Sequence, residues 1–355
     1  MNASPSQPHP AEWPETQALR DTAERGLPAG RHAFHREHLM AQIRDDIRTA
    51  APKVPQRNPF LRKAILLPAA ACALAGAIVG GVALYGGGGD GDGTTPLATG
   101  PALTTPLGTV DAKGGPRLLD RISLAAADAS GPTVRDGQFL YIASKVASTY
   151  PKTVDDKTTV VSQELHARQV WQSPDGKDGW LIEPGETSDE GMTLAGPHAI
   201  SAAYDHLATL PTDPDALLKK IDQNVDENRD KEVPRDQAAF VALGDLLTES
   251  YPPAKLTAAI YQAAAKIPGV VKVDDAVDAT GRHGVAVARL NEQDGQRTEW
   301  IFDKKTLAFL GERSVQVKPD DSGLFKVGTV TSTSAITQRA VVDGNKRMPA
   351  EQQAG

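Results

Sequence analysis

The densest group of side chains able to ligate or titrate is Arg31-His32-Ala33-Phe34-His35-Arg36-Glu37-His38. Three imidazoles and a carboxylate are zinc-ligand types, and histidines three apart on a helix fall on adjacent parts of one side. The pattern stops short of a zinc site. It is not His-Glu-x-x-His, successive steps of three spread the rings around the helix, and the single cysteine, Cys72, stands elsewhere. The reading that remains is a basic helical face, set against lipid headgroups or a partner's acidic surface. Arg31, His32, His35, Glu37, His38, Leu39 and Met40 are therefore the candidate partner-binding residues. No residue is assigned to catalysis, a cofactor or a metal.

Elsewhere the reactive types are dispersed. His166, His198, His206 and His283 share no ligand spacing, and Asp274, Asp275 and Asp278 lie between two expected strands as turn formers. Trp171, Trp180 and Trp300 fall in expected strands, where packing is their ordinary role. Gly86, Gly88 and Gly91 satisfy a dinucleotide-type glycine pattern but do not follow a strand. Asp90 and Asp92 open like a calcium loop, yet Pro101 stands where its closing glutamate belongs. There is no nucleophile-elbow or phosphate-loop motif.

The elements that would position these groups are set by an apolar run. Residues 64–85, from Ala64 to Tyr85, contain no charged side chain. As a helix they cover roughly 33 Å, the thickness of a bilayer's hydrocarbon core. Lys53, Arg57, Arg62 and Lys63 crowd the N-terminal flank, whereas Asp90 and Asp92 follow the run. Basic flanks stay in the cytoplasm. The expectation is a cell-membrane protein with residues 1–63 inside and 86–355 outside. A 63-residue leader is too long for a signal peptide, and Ala69 stands where a lipoprotein signal has leucine. Gly76 and Gly80 form a GxxxG pair, candidates for helix dimerisation in lipid. Ahead of the span, Phe34, Leu39, Met40, Ile43 and Ile47 recur at helical spacing, so a short amphipathic helix is expected over 33–50, after a disordered tail. Its apolar face needs the membrane surface, a second copy or another protein.

Charge divides along the same line. Residues 1–63 hold ten Lys+Arg and seven Asp+Glu; taken from chain totals of 38 and 45, this leaves 28 and 38 beyond them. An exterior near −10 argues against nucleic acid as a partner. With its one cysteine in the span, the exterior has no intramolecular disulfide and must stand on its core.

Residues 86–117, rich in Gly, Thr, Pro and Ala, read as a flexible stalk. A folded domain is expected over 118–345 and a disordered tail over 346–355. Helices are expected at Ile122–Ala129, after the Asp213-Pro214 cap, over Arg235–Ser250, and on to Ile267. Strands are expected at Gln138–Ala147 and as a hairpin around Ser173-Pro174-Asp175-Gly176. A meander follows through Val270–Val273, Gly284–Leu290, Thr298–Phe302 and Leu307–Val317, with a last pair in Lys326–Ser332 and Ala335–Val342. The fold class is α+β: an antiparallel sheet with helices on one face.

Two sets of residues carry a resemblance. One is Pro28-Ala29-Gly30-Arg31-His32 with Glu37-His38-Leu39-Met40. The other comprises Val170-Trp171 to Gly176, Leu210-Pro211-Thr212-Asp213-Pro214, Pro268-Gly269-Val270, Asp278-Ala279 with Gly281-Arg282, Ile301-Phe302-Asp303 and Leu310-Gly311-Glu312-Arg313. Together they resemble a family of uncharacterised single-pass membrane proteins of actinobacteria, often encoded beside RNA polymerase sigma factors. The resemblance implies a sensor or regulator with a sigma factor as cytoplasmic partner, and it names no active site. The His-x₃-Cys-x₂-Cys motif of zinc anti-sigma proteins does not occur. The alternative is an extracytoplasmic carrier for a lipid or other apolar ligand, by analogy with curved sheets over helices.

Overall fold

Twelve strands, the longer ones alternating buried and exposed residues, build one antiparallel sheet. The computed structural model describes residues 97–129, 131–154, 157–194, 202–320 and 322–350. The expected cytoplasmic helix, the 64–85 run with Gly76 and Gly80, and the candidate partner-binding residues Arg31 to Met40 lie outside the described residues. Among the described residues no helix is long and apolar enough to cross a membrane.

The elements run β1 (Thr99–Pro101), β2 (Val110–Asp111), α1 (Gly114–Asp128), β3 (Phe139–Val154), β4 (Lys157–Gln163), β5 (His166–Gln172), β6 (Gly179–Ile182), β7 (Met192–Thr193), α2 (Tyr204–Ala208), α3 (Pro214–Asn228), α4 (Arg235–Thr248), α5 (Ala254–Ala264), β8 (Val270–Val277), β9 (His283–Leu290), β10 (Gln296–Asp303), β11 (Phe309–Gln316) and β12 (Val330–Val342). Strand order is β2-β8-β9-β10-β11-β12-β3-β5-β6-β7, and β4 pairs with the far half of β3 and with β1.

Pairing register assigns each side chain to a face. Trp300 pairs with Val287 and Glu312, and Glu299 with Ala288 and Arg313. Trp300, Phe302, Val285 and Val287 therefore point to one side, where they join Leu119, Ile122, Leu217, Phe240, Leu243 and Ile260 of the helices in the main core. Phe240 stacks on Trp300 with ring centroids 4.1 Å apart, and Phe302 meets Tyr261 and Phe309 edge-on. The protein's own aromatic rings thus fill this face.

Local signals place the helices. Asp213 accepts from Ala216 N at 2.9 Å with Pro214 in the first turn, satisfying a donor that the helix start leaves open. Pro252 and Pro253 separate α4 from α5. Gly115 brings α1 against β8, since a Cβ there would lie 2.7 Å from Val270 O.

Several boundaries differ from expectation. The sequence of 86–117 reads as a stalk, but its described part, 97–117, belongs to the domain: β1 pairs with β4, β2 with β8, and α1 begins at Gly114. Glycine and threonine remove the apolar pattern that marks a strand, so main-chain pairing here had no side-chain signature. The expected pair in 326–342 is one strand, β12, bulged between Ile336 and Gln338. Asp274 and Asp275 sit within β8 at a bulge rather than between strands. The expected tail is docked at its start, where Trp171 Nε1 donates to Arg347 O at 2.7 Å. The hairpin around Ser173–Gly176 forms between β5 and β6 as expected.

Candidate functional site

The fold does not gather the scattered histidines and aspartates. His198 is outside the described residues. His283 is exposed on β9, and His206 lies on α2, where burial and then Lys220 push its pKa below the ordinary value. Asp278 closes the β8–β9 turn, accepting from Thr280 and Arg282, whose guanidinium also reaches Leu310 O and Ile336 O. Among the described residues, no group of His, Cys, Asp and Glu could hold a metal ion.

Two other clusters emerge. The first lies on the face of the sheet away from the helices. Glu299, fully buried, accepts from Arg297 Nε at 2.7 Å through one oxygen and from Arg313 Nε at 2.8 Å through the other. Arg297 and Arg313 are themselves 5% and 3% exposed. Alternation places them: Arg297, Glu299 and Ile301 share one side of β10, and register sets Arg313 opposite Glu299. Residues 97–111 cross this face as a strap. Arg297 Nη2 donates to Leu107 O, and Arg313 Nη1 donates to Thr105 Oγ1 at 2.7 Å and to Val277 O at 2.8 Å. Gly108, at φ +66°, brings the strap so close to β8 that a Cβ would lie 2.3 Å from Asp274 O. Beside the triad, Val273, Ala286, Ala288 and Ile301 form a small apolar cluster.

The second cluster joins the sheet to a helix end. Arg168 on β5 donates through Nε to Glu183 at 2.9 Å and through Nη2 to Glu249, the residue that follows α4, at 3.1 Å. His166 lies beside them, Nδ1 2.9 Å from Glu164 O and Nε2 3.4 Å from Glu183. Burial opposes the charged imidazole, but the hydrogen bonds to Glu183 and Glu164 and the charges of Glu183 and Glu186 outweigh it, so the His166 pKa is raised. Burial likewise opposes the Arg168 cation, and Glu249 and Glu183 more than compensate. With His166 neutral the group of four carries one negative charge; protonation neutralises it.

A third surface lies on the same side of the sheet as the triad. Phe139, Tyr141, Trp171 and Val342 pack together, with Trp180 beside them. The C-terminal segment covers it: Lys346 Nζ sits 3.3 Å from the Trp180 ring centroid. Helices thus cover one face of the sheet, while segments near both ends of the described chain cover the other.

Apart from His166 among the histidines and Arg313 within the resemblance, none of these charged residues stood out in the sequence. Arg297 and Glu299 two apart on a strand, with Arg313 one hairpin later, form a triad only once the β10–β11 register is known. Strand alternation itself conceals them: with Trp300 and Phe302 on the helix side of β10, Arg297 and Glu299 fall at the positions that alternation assigns to polar residues.

No protein-family model and no curated protein matches the chain. A solved structure, that of the Pseudomonas aeruginosa MucA/MucB complex, is similar at 13% identity with a TM-score of 0.23, over 67% of this chain and 59% of that one. The chain thus spans about three fifths of that neighbour's length. At this score the likeness decides nothing about fold or role.

Proposed function

We propose that this chain is a single-pass membrane regulator without catalytic activity, its 64–85 segment in the cell membrane, residues 1–63 in the cytoplasm and the described domain outside. The observation that carries the reading is how the domain meets the chain that precedes it. Residues 97–111, which follow the membrane-length apolar run, are laced across the sheet and hydrogen-bonded to the buried triad. A change at the domain can therefore reach the segment upstream, and the reverse. The buried charges are committed to one another, Arg297 and Arg313 to Glu299 and Arg168 to Glu183 and Glu249, as suits a binding domain better than an acid–base site.

On this reading Arg31, His32, His35, Glu37, His38, Leu39 and Met40 hold a cytoplasmic protein partner. The resemblance to proteins encoded beside sigma factors makes a sigma factor the first to test. Gly76 and Gly80 would support a homodimer within the bilayer. A carrier for an apolar ligand would require the helix-side face to open, because the stacked Phe240 and Trp300 and their neighbours occupy it.

Two measurements test the proposal. Protease added to intact cells should remove the domain and spare residues 1–63; the opposite pattern overturns the topology. An immobilised peptide of residues 28–50 should retain a sigma factor, and Leu39→Asp with Met40→Asp should release it. Retention unaffected by these changes, or absent, removes the partner assignment.

A further inference from the structure

Residues 97–111 cover a surface whose chemistry asks for more than they supply. The triad beneath holds two guanidiniums and one carboxylate, a net positive charge. Arg313, at 3% exposure, has its Nη2 without a hydrogen-bond partner among the described residues. The strap meets this charge with neutral acceptors only, Leu107 O and Thr105 Oγ1. A carboxylate at a guanidinium adds charge–charge attraction, and often a second parallel N–H···O bond, to what a neutral acceptor supplies.

The strap is held by hydrogen bonds rather than by apolar burial, since none of residues 97–111 is buried. It pairs over three residues with β4 and over two with β8. Between these, separate hydrogen bonds attach it: Leu103 N to Ser162 Oγ, Val330 N to Leu103 O, Thr105 N to Gly328 O and Asp274 N to Thr109 O. Leu103, Thr104 and Pro106 are exposed, so little apolar burial opposes its departure. Segments with few buried contacts open without global unfolding.

We infer that the strap is the displaceable occupant of a docking groove, and that the groove's other ligand is an extended, carboxylate-bearing segment of a partner protein. The incoming main chain takes over the acceptors and donors of β4, β12 and β8, as in strand-addition recognition, and its carboxylate replaces Thr105 at Arg313. Displacement frees 15 residues, up to about 50 Å of extended chain, between the domain and residue 96. Only that last consequence rests on the 64–85 segment being an anchor.

The test uses the full chain carrying Cys72→Ser, with and without Thr104→Cys and Thr329→Cys, which form an antiparallel bridge at disulfide reach. Hydrogen exchange should show the Leu103 and Thr105 amides exchanging about 100-fold or more faster than β10 and β11 amides. A labelled peptide of residues 97–111 carrying Thr105→Glu should bind about 10-fold more tightly than the unmodified peptide. Oxidative closure of the crosslink should abolish binding, and reduction of the same sample should restore it, which separates locking from misfolding. Strap amides exchanging with the sheet core, a carboxylate peptide no tighter than the unmodified one, or binding indifferent to the crosslink overturns the inference. Failure of the membrane topology would show in the protease experiment and leave these outcomes unchanged.

Discussion

Thr105 and Arg313 stand 208 positions apart in the chain and are joined by a 2.7 Å hydrogen bond. The pair links a threonine in a segment of stalk-like composition to an arginine buried on a central strand. It explains why the strap, though mostly exposed, has a defined path. The buried guanidinium needs acceptors, and Val277 O, Glu299 and Thr105 supply them at Nε and Nη1, leaving Nη2 without one among the described residues.

Glu299→Ala leaves two guanidiniums buried beside each other without their carboxylate. Breaking one partner of a buried ion pair costs about 3–5 kcal/mol. Urea unfolding should register a loss of that size. Replacing Arg297, Glu299 and Arg313 together by methionine and leucine should recover most of it, because no uncompensated charge remains. A single substitution as mild as the triple one would show that water already reaches the triad.

Gly244→Ala sets two effects against each other. Alanine in a helix interior ordinarily gains about 1 kcal/mol over glycine. In α4, however, the new Cβ would lie 2.5 Å from Trp300 Nε1, in a ring clamped by Phe240. Overpacking of that kind costs about 1–3 kcal/mol, so the net change should be a lowered melting temperature. An unchanged or raised value would mean that the Trp300 ring can yield.

His166 makes stability depend on pH. Its folded pKa is raised, so its contribution is fully present below the ordinary value of 6.5 and is lost as pH rises through the folded value. His206 works in the opposite sense. Burial and Lys220 depress its pKa, so protonation below 6.5 weakens the fold. Chemical unfolding across pH 5–8 should therefore show His166→Gln losing stability mainly at the acid end and His206→Gln gaining there. Parallel curves for wild type and His166→Gln would remove the role of the Glu183 contact.

Deleting residues 346–355 takes away the carbonyl that accepts from Trp171 and the ammonium over Trp180. Tryptophan emission should shift to the red as water reaches both rings, with a smaller shift for Lys346→Ala. Identical spectra would mean that the tail does not shield them in solution.

Periodicity and punctuation made much of the fold legible. Leu217 and Ile221 behind Asp213-Pro214 announced α3, and the pair Pro252-Pro253 divided α4 from α5. The Ser173–Gly176 turn announced the β5–β6 hairpin because glycine supplies the positive φ there, 69° at Gly176. β1 and β2 stayed hidden, since strands of three and two residues, Thr-Gly-Pro and Val-Asp, are too short to show an alternation. The candidate sites were less legible still. Glu183 and Glu249 lie 66 positions apart, and nothing in either neighbourhood names Arg168 as their common partner.

The sequence by itself determined the local elements and the lone charge-free run of membrane length, because helix and strand periods, caps and hydropathy act within a few residues of one another. Only the tertiary structure decided which charges meet, which faces are covered and that residues 97–111 strap the sheet. Those outcomes depend on strand register and on hydrogen bonds across more than two hundred residues, which leave no mark in the local order of side chains.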